Sequence, residues 1–405
     1  MLILKADQWT RPELNQAPEV EARVRQILES VRQEGSAALR LWSLQVDGFQ
    51  PERIPLKEFR DYDVSLDLRD ALERAADRIE HFAKIQRQGA QDTYFEDAWG
   101  RYESVHLPVE RMAAYIPGGR FPLISTALMT LIPACVAGVK ERIAFSPSDH
   151  PAIQAAAALA GATGFVRLGG AQAIAAAAFG SDWNPACDVV VGPGNAYVNA
   201  AKAQVQGQVR IDTLAGPSEL LVVADETCRL SWIAADIRAQ AEHDPNALSI
   251  CVSESEPFLQ NLAQELGQTE QGMGLVQLVH ADSRDELLAF INGVAAEHLF
   301  IAMDLAQAEI QQIQNYGSLF IGQNSAVAFG DYCSGPNHTL PTRSSARFKG
   351  GLSVLDFLRT VTTQTLYDAG VQDLAPCAMA LAEAEGLVHH YASIRIRKDD
   401  LKAGR

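Results

Sequence analysis

Between residues 113 and 205 the chain repeats one pattern: a short apolar run, a turn, and a helical stretch rich in alanine. Ala113-Ala114-Tyr115-Ile116 enters Pro117-Gly118-Gly119-Arg120 and then an apolar run over 121–139. Residues 142–146 precede a helix over 151–159, and 164–168 lead into Gly169-Gly170 and a helix over 171–179. Residues 188–191 lead into Gly192-Pro193-Gly194 and a helix over 195–205. Strand, turn and helix in succession predict a parallel sheet with helices on its faces, and ligands at the carboxyl ends of the strands.

Glycine turns at strand ends suit a nucleotide, because backbone approaches phosphate closely only where side chains are absent. However, no complete GxGxxG is present: Gly192-Pro193-Gly194 lacks the third glycine, and Pro193 removes an amide donor. Tight strand-to-helix packing explains the same glycines, so the motif alone does not establish a dinucleotide fold.

The length of 405 residues allows two or three domains. A formal net charge of −16 argues against nucleic acid or an anionic membrane as the main partner, since either needs a basic face. The six cysteines lack CxxC spacing and read as reduced thiols of a cytoplasmic protein. Charge at Lys5 and Asp7 interrupts any signal-peptide core. The run 121–139 nears membrane-spanning length, but it contains Pro122 and Pro133 and has no companion, so it reads as a buried helix.

Apolar spacing predicts solvated helices over 18–41 and 58–86. A strand over 220–224 follows Gly216-Pro217-Ser218-Glu219, where Ser218 either presents its hydroxyl or caps the turn. A helix over 231–242, capped by Ser231, carries Gln240 and His243 three apart on one face, a spacing that lets one helix supply two metal ligands. A strand over 275–280 and a helix over 285–294, capped by Ser283, lead to Glu297-His298 at a helix-to-strand corner. Two neighbouring bases suit two successive proton transfers. The strand 318–322 feeds Gly330-Asp331-Tyr332-Cys333-Ser334-Gly335-Pro336-Asn337-His338-Thr339, a polar segment read as neither helix nor strand. Beyond residue 351 the expectation is helix over 355–359, 363–369 and 375–390, then a strand over 393–397.

Tyr115-Ile116-Pro117-Gly118-Gly119, Gly169-Gly170-Ala171-Gln172, Gly192-Pro193-Gly194-Asn195, Gly216-Pro217-Ser218-Glu219, Gln240-Ala241-Glu242-His243, Glu297-His298-Leu299, the segment 330–342 and Ala382-Glu383-Ala384-Glu385-Gly386-Leu387 together resemble the histidinol dehydrogenase family, block by block and in order. The resemblance implies an NAD-dependent enzyme that oxidises L-histidinol through its aldehyde to L-histidine, the last step of histidine biosynthesis. It implies one zinc ion per subunit, held by Gln240, His243, Asp331 and, across a homodimer interface, His390. By the same carry-over His298 is the base for the alcohol and Glu297 the base that activates water. Ser218, His338 and Glu385 join Gln240, His243, His298, Asp331 and His390 around the substrate, and Tyr115, Gln172 and Asn195 contact NAD. His389 stands beside His390, which is chosen for its spacing from Glu385. Cys333 stands where the family pattern leads one to expect a small residue.

The implied fold is α/β, with two incomplete Rossmann-like parallel-sheet domains and small helical N- and C-terminal extensions. The expected division is an extension over 1–15, a first domain over 16–112 plus 220–350 with metal and catalytic residues, a second over 113–219 with the NAD contacts, and a helical dimerisation unit over 351–405. One alternative is a zinc- and NAD-dependent dehydrogenase of another small alcohol or diol. Others are a zinc hydrolase using Glu297 and a non-catalytic homologue.

Overall fold

The computed structural model describes residues 2–13, 18–119, 122–267 and 272–403. Arg120 of the first glycine turn, Phe121 at the head of the apolar run and the boundary expected between residues 15 and 16 lie outside the described residues. The chain forms two units, Met1–Gln86 with Val109–Phe357, and Arg87–Pro108 with Leu358–Arg405.

The larger unit contains two six-stranded sheets. In the first, the strands run in the order Ile3–Lys5, Leu275–His280, Leu248–Ser253, Glu219–Val223, His298–Ile301 and Ser318–Ile321, all parallel. The central strand Glu219–Val223 is buried throughout, the continuous apolar run expected of a strand covered on both faces. The N-terminal extension thus adds an edge strand, followed by one 3-10 turn, Ala6–Gln8.

The second sheet runs Glu52–Ile54, Gly164–Arg167, Glu141–Ser146, Arg111–Tyr115, Val189–Val191 and Arg210–Ile211, with only Glu52–Ile54 antiparallel. This sheet confirms the strand–turn–helix repeat. The helices Pro18–Glu34 and Ser36–Val46, grouped with 220–350 in the sequence division, bury Val24, Ile27, Leu39 and Trp42 in the core of this second sheet. They are one expected helix divided at Gly35. The apolar run forms the helix Ile124–Ala137, buried nearly all round, whose Thr130 hydroxyl donates 2.6 Å to the Thr126 carbonyl. No helix among the described residues is long and apolar enough to cross a membrane.

In both sheets chain order reverses at a central pair of strands: Arg111–Tyr115 beside Val189–Val191, and Glu219–Val223 beside His298–Ile301. Such switch points open a crevice between neighbouring loops.

The smaller unit corrects the C-terminal expectation. Residues 358–366 form a nine-residue strand antiparallel to Gly100–Pro108, which pairs in turn with Thr93–Glu96. Two helices follow, Asp368–Ala384 and Val388–Lys402, so 393–397 is helix and not strand. The helix expected over 375–390 breaks at Gly386, whose φ of 72° lies in the left-handed region that favours glycine.

Candidate active site

The two switch points hold different groups. In the second sheet the crevice lies at the carboxyl ends, as expected. Tyr115 ends one central strand, and Gly192 follows its neighbour with a φ of 113°; a Cβ on Gly192 would drive into the Tyr115 carbonyl. Lys202, fully buried, donates 3.0 Å to the Gly192 carbonyl, while Asp212 accepts 2.7 Å from the Gly192 amide and ion-pairs with Lys202. The third glycine of a dinucleotide motif is absent, and this ion pair fixes the turn from both sides.

Tyr115 and Gln172 are buried, and their polar atoms serve the neighbouring turn. The Tyr115 hydroxyl accepts 3.2 Å from the Gly170 amide, and burial pushes its pKa up to about 12. Gln172 donates 2.8 Å to Asp47, a carboxylate that sequence reading passed over; Asp47 also accepts from the Gly169 amide. Asn195 caps the helix Ala196–Val205, its side chain accepting from Tyr197 and Val198 amides. This leaves an ordered, glycine-walled helix start of the kind that receives phosphate.

In the first sheet the chemistry sits at the opposite pole. Ser218, Glu219, Glu297 and His298 all lie at the amino ends of the central strands, so the expectation of carboxyl-end ligands holds for one sheet and not for the other. Glu297 and His298 are both buried. The Glu219 amide donates 2.8 Å to Glu297 Oε2, and the Glu219 carbonyl accepts from His298 Nδ1 at 3.1 Å. Glu297 Oε2 and His298 Nδ1 are 3.6 Å apart. Burial pushes the Glu297 carboxyl well above its ordinary range, with the Glu219 and Asp331 charges adding to it. Burial lowers His298 to about 4, so its imidazole is neutral near pH 7.

Asp331 and His338 join this pair from the polar segment. Asp331 is not in a loop: Val327–Tyr332 forms a short helix that stops at Cys333. His338 Nδ1 lies 2.8 Å from the Asp331 carbonyl and its Nε2 3.4 Å from the Thr126 hydroxyl, so the segment spans from one sheet's domain to the other's. His338 is lowered to about 4 and Asp331 raised to about 6, both chiefly by burial. His243 lies near enough to Asp331, His298 and His338 to bear on their titration. The helix carrying Gln240 runs Leu230–Ala241 with Arg229 at its N-cap, one residue ahead of the expected span and not capped by Ser231. His243 therefore stands in the turn beyond it. A cavity of about 470 Å³, lined by His298, Phe320, Asn337 and His338, opens onto the cluster.

Glu385 and His390 belong to the smaller unit, and both are exposed on it. Ser218, Gln240, His243, Glu297, His298, Asp331 and His338 all belong to the larger unit.

Two features near the cluster would favour a divalent cation. Gln240 is buried, and its Nε2 has no hydrogen-bond partner among the described residues; turning the amide presents a carbonyl oxygen instead. Burial disfavours the Asp331 charge, and a cation would relieve it. Among the described residues no three His, Cys, Asp or Glu side chains gather closely enough to hold a metal alone.

Two doubly wound sheets, one with a glycine-turned crevice and the other with a buried imidazole and carboxylate, define a two-sheet α/β enzyme equipped for proton transfer. The chain belongs to the histidinol dehydrogenase family, whose model matches residues 10–398. It is 41% identical over 403 residues to a histidinol dehydrogenase of Thermus thermophilus, covering 96% of this chain and 97% of that protein. It is 40% identical over 408 residues to one of Parasynechococcus marenigrum, covering 96% and 93%. The crystal structure of histidinol dehydrogenase from Elizabethkingia anophelis superposes with a TM-score of 0.89 at 34% identity, covering 97% of this chain and 95% of that one.

Proposed function

We infer that this chain oxidises L-histidinol to L-histidine through L-histidinaldehyde, the last step of histidine biosynthesis, with Glu297 and His298 as its two bases. The observation that carries the reading is the anchoring of both groups to one residue, Glu219, through its amide and its carbonyl. Two NAD molecules, one for each oxidation, would supply the hydride acceptors, and zinc, which Gln240, His243, Asp331 and a donor such as His390 of the partner subunit would hold, would supply a Lewis acid for the substrate's imidazole and amine.

His298 keeps its Nδ1 proton on the Glu219 carbonyl, leaving Nε2 as the free base. It takes the hydroxyl proton as hydride leaves the alcohol carbon, giving the aldehyde. Glu297, whose burial gives it a high proton affinity, takes a proton from water as the oxygen adds to the aldehyde carbon. Loss of a second hydride from that hydrate, with a hydroxyl proton again leaving to a base, gives the carboxylate. Adjacent bases serve both stages without release of the aldehyde. His338 and Ser218 border the substrate in this reading, Glu385 reaches it from the smaller unit of a second copy, and Tyr115, Gln172 and Asn195 shape the NAD crevice.

The test is the number of NADH formed per L-histidinol on zinc-loaded and chelator-stripped protein. Two with metal and nearly none without is the expected result. One would mean that the aldehyde escapes and Glu297 has another role.

A further inference from the structure

Arg11 lies in the N-terminal segment, where nothing in its sequence surroundings marks it for chemistry. Its Nη1 ion-pairs with Glu219 Oε1, while its Nη2 donates 2.6 Å to the Val294 carbonyl and 3.2 Å to Ser344 Oγ. Val294 ends the helix that leads directly into Glu297, so its carbonyl is one of the unpaired acceptors at a helix C-terminus, where a cation is favoured. Arg11 thus bridges the entries to the two central strands, Glu219–Val223 and His298–Ile301.

The Glu219 carboxylate is itself buried. It accepts from Arg11 and, at 3.2 Å, from the Arg343 amide, while its Oε2 has no hydrogen-bond partner among the described residues. Arg343 and Ser344 hold φ values of 54° and 62°, a conformation that non-glycine residues keep only when surrounding bonds impose it. Ser344 Oγ also donates 3.0 Å to Val294, closing the loop. A buried carboxylate and a strained loop, both met by one guanidinium, exceed what holding down an N-terminal arm requires. The arm already pairs through Ile3–Lys5 and packs Trp9 edge-on against Phe290.

We propose that Arg11 and Glu219 are a positioning pair: Arg11 braces the Glu219 strand against the end of the helix Arg284–Val294, and Glu219 in turn holds Glu297 and His298 at the spacing the two proton transfers need. The proposal rests on the reading of Glu297 and His298 as the bases. Neither Arg11 nor the Glu219 side chain needs to touch substrate.

The experiment compares Arg11→Ala, Arg11→Lys and Glu219→Gln with the parent, as full-length zinc-loaded enzyme. A displacement of the bases costs kcat on the order of 10- to 100-fold. The expected result for Arg11→Ala is that loss, with KM for L-histidinol and NAD within about twofold and zinc content unchanged, since binding groups stay in place. Added guanidinium restores part of kcat, and Arg11→Lys, which keeps a charge but not the fork, is intermediate. If Arg11→Ala does not fold, Arg11→Lys and Glu219→Gln carry the same kcat-against-KM comparison. Unchanged kcat, a loss seen only in KM, or no recovery with guanidinium overturns the proposal. Glu297→Gln and His298→Gln, measured alongside, separate the two readings. If they stay active, the assignment of the bases fails; if they lose activity while Arg11→Ala does not, only the brace fails.

Discussion

His298 Nε2 lies 3.7 Å from Asp331 Oδ1, while the other ring nitrogen is bonded to the Glu219 carbonyl. The separation is too long for a hydrogen bond, so the nitrogen that faces the cluster keeps its lone pair. His298→Gln removes this base and is expected to lower kcat by about 10²- to 10⁴-fold, the usual yield of general-base catalysis. Glu297→Gln keeps the imidazole, so it is expected to slow aldehyde oxidation more than alcohol oxidation. Quantifying NADH against L-histidinol consumed checks both: the Glu297 variant moves from two toward one.

The titrations set a pH dependence whose sign can be worked out. Folding lowers His298 and His338 to about 4, below the ordinary value, so the unfolded chain takes these protons first as pH falls. In metal-free protein their contribution to stability is therefore intact above about pH 6.5 and is lost between there and 4. A His338→Gln variant should lose less stability than the parent across that window, measured by urea unfolding at several pH values. The His298 imidazole is neutral above this range, so activity is expected to rise with pH as the carboxyls that burial raises, Glu297 and Asp331, lose their protons. In Glu297→Gln, residual alcohol oxidation should lack the Glu297 part of that rise.

Sequence reading recovered the second sheet because its glycine turns and alanine-rich helices are local signals. The proposed bases and ligand candidates rest on the family resemblance, which contiguous motifs carry. Sequence reading missed the role of the Glu219 main chain because that role depends on register between strands 78 positions apart. Arg11 and Asp47 act on partners 208 and 125 positions away, which spacing does not reveal. The strand Leu358–Leu366 did carry a signal, since Thr360, Val361, Thr362, Thr363 and Thr365 favour extended backbone. Its face is largely exposed, and the apolar alternation that usually marks a strand is absent.

The Lys202–Asp212 pair tests how firmly the Gly192 turn is built. Lys202→Met strands a buried carboxylate and should cost about 3–5 kcal/mol of stability, whereas replacing both partners by apolar residues should recover most of it. Because both groups bond Gly192, the double variant is expected to remain folded while its KM for NAD rises. Urea unfolding and initial-rate kinetics report the two effects separately.

Metal removal should act on the cluster and not on the fold. Chelation is expected to abolish turnover while leaving the far-ultraviolet circular dichroism unchanged, since the central strands are buried independently of the ligands. Asp331→Ala should lower zinc affinity by at least about tenfold. Titration calorimetry on the stripped protein gives that number directly.

The three-stranded sheet of the smaller unit has a consequence for biosynthesis. Pro108 pairs with Leu358, 250 positions later, so the strand Gly100–Pro108 emerges from the ribosome long before its partner exists. During that interval it has one neighbour, Thr93–Glu96, a hairpin of marginal stability that leaves Tyr94 and Phe95 exposed even in the finished unit. The nascent chain thus carries an open strand edge through most of its synthesis, and closes it only when one of its last segments arrives.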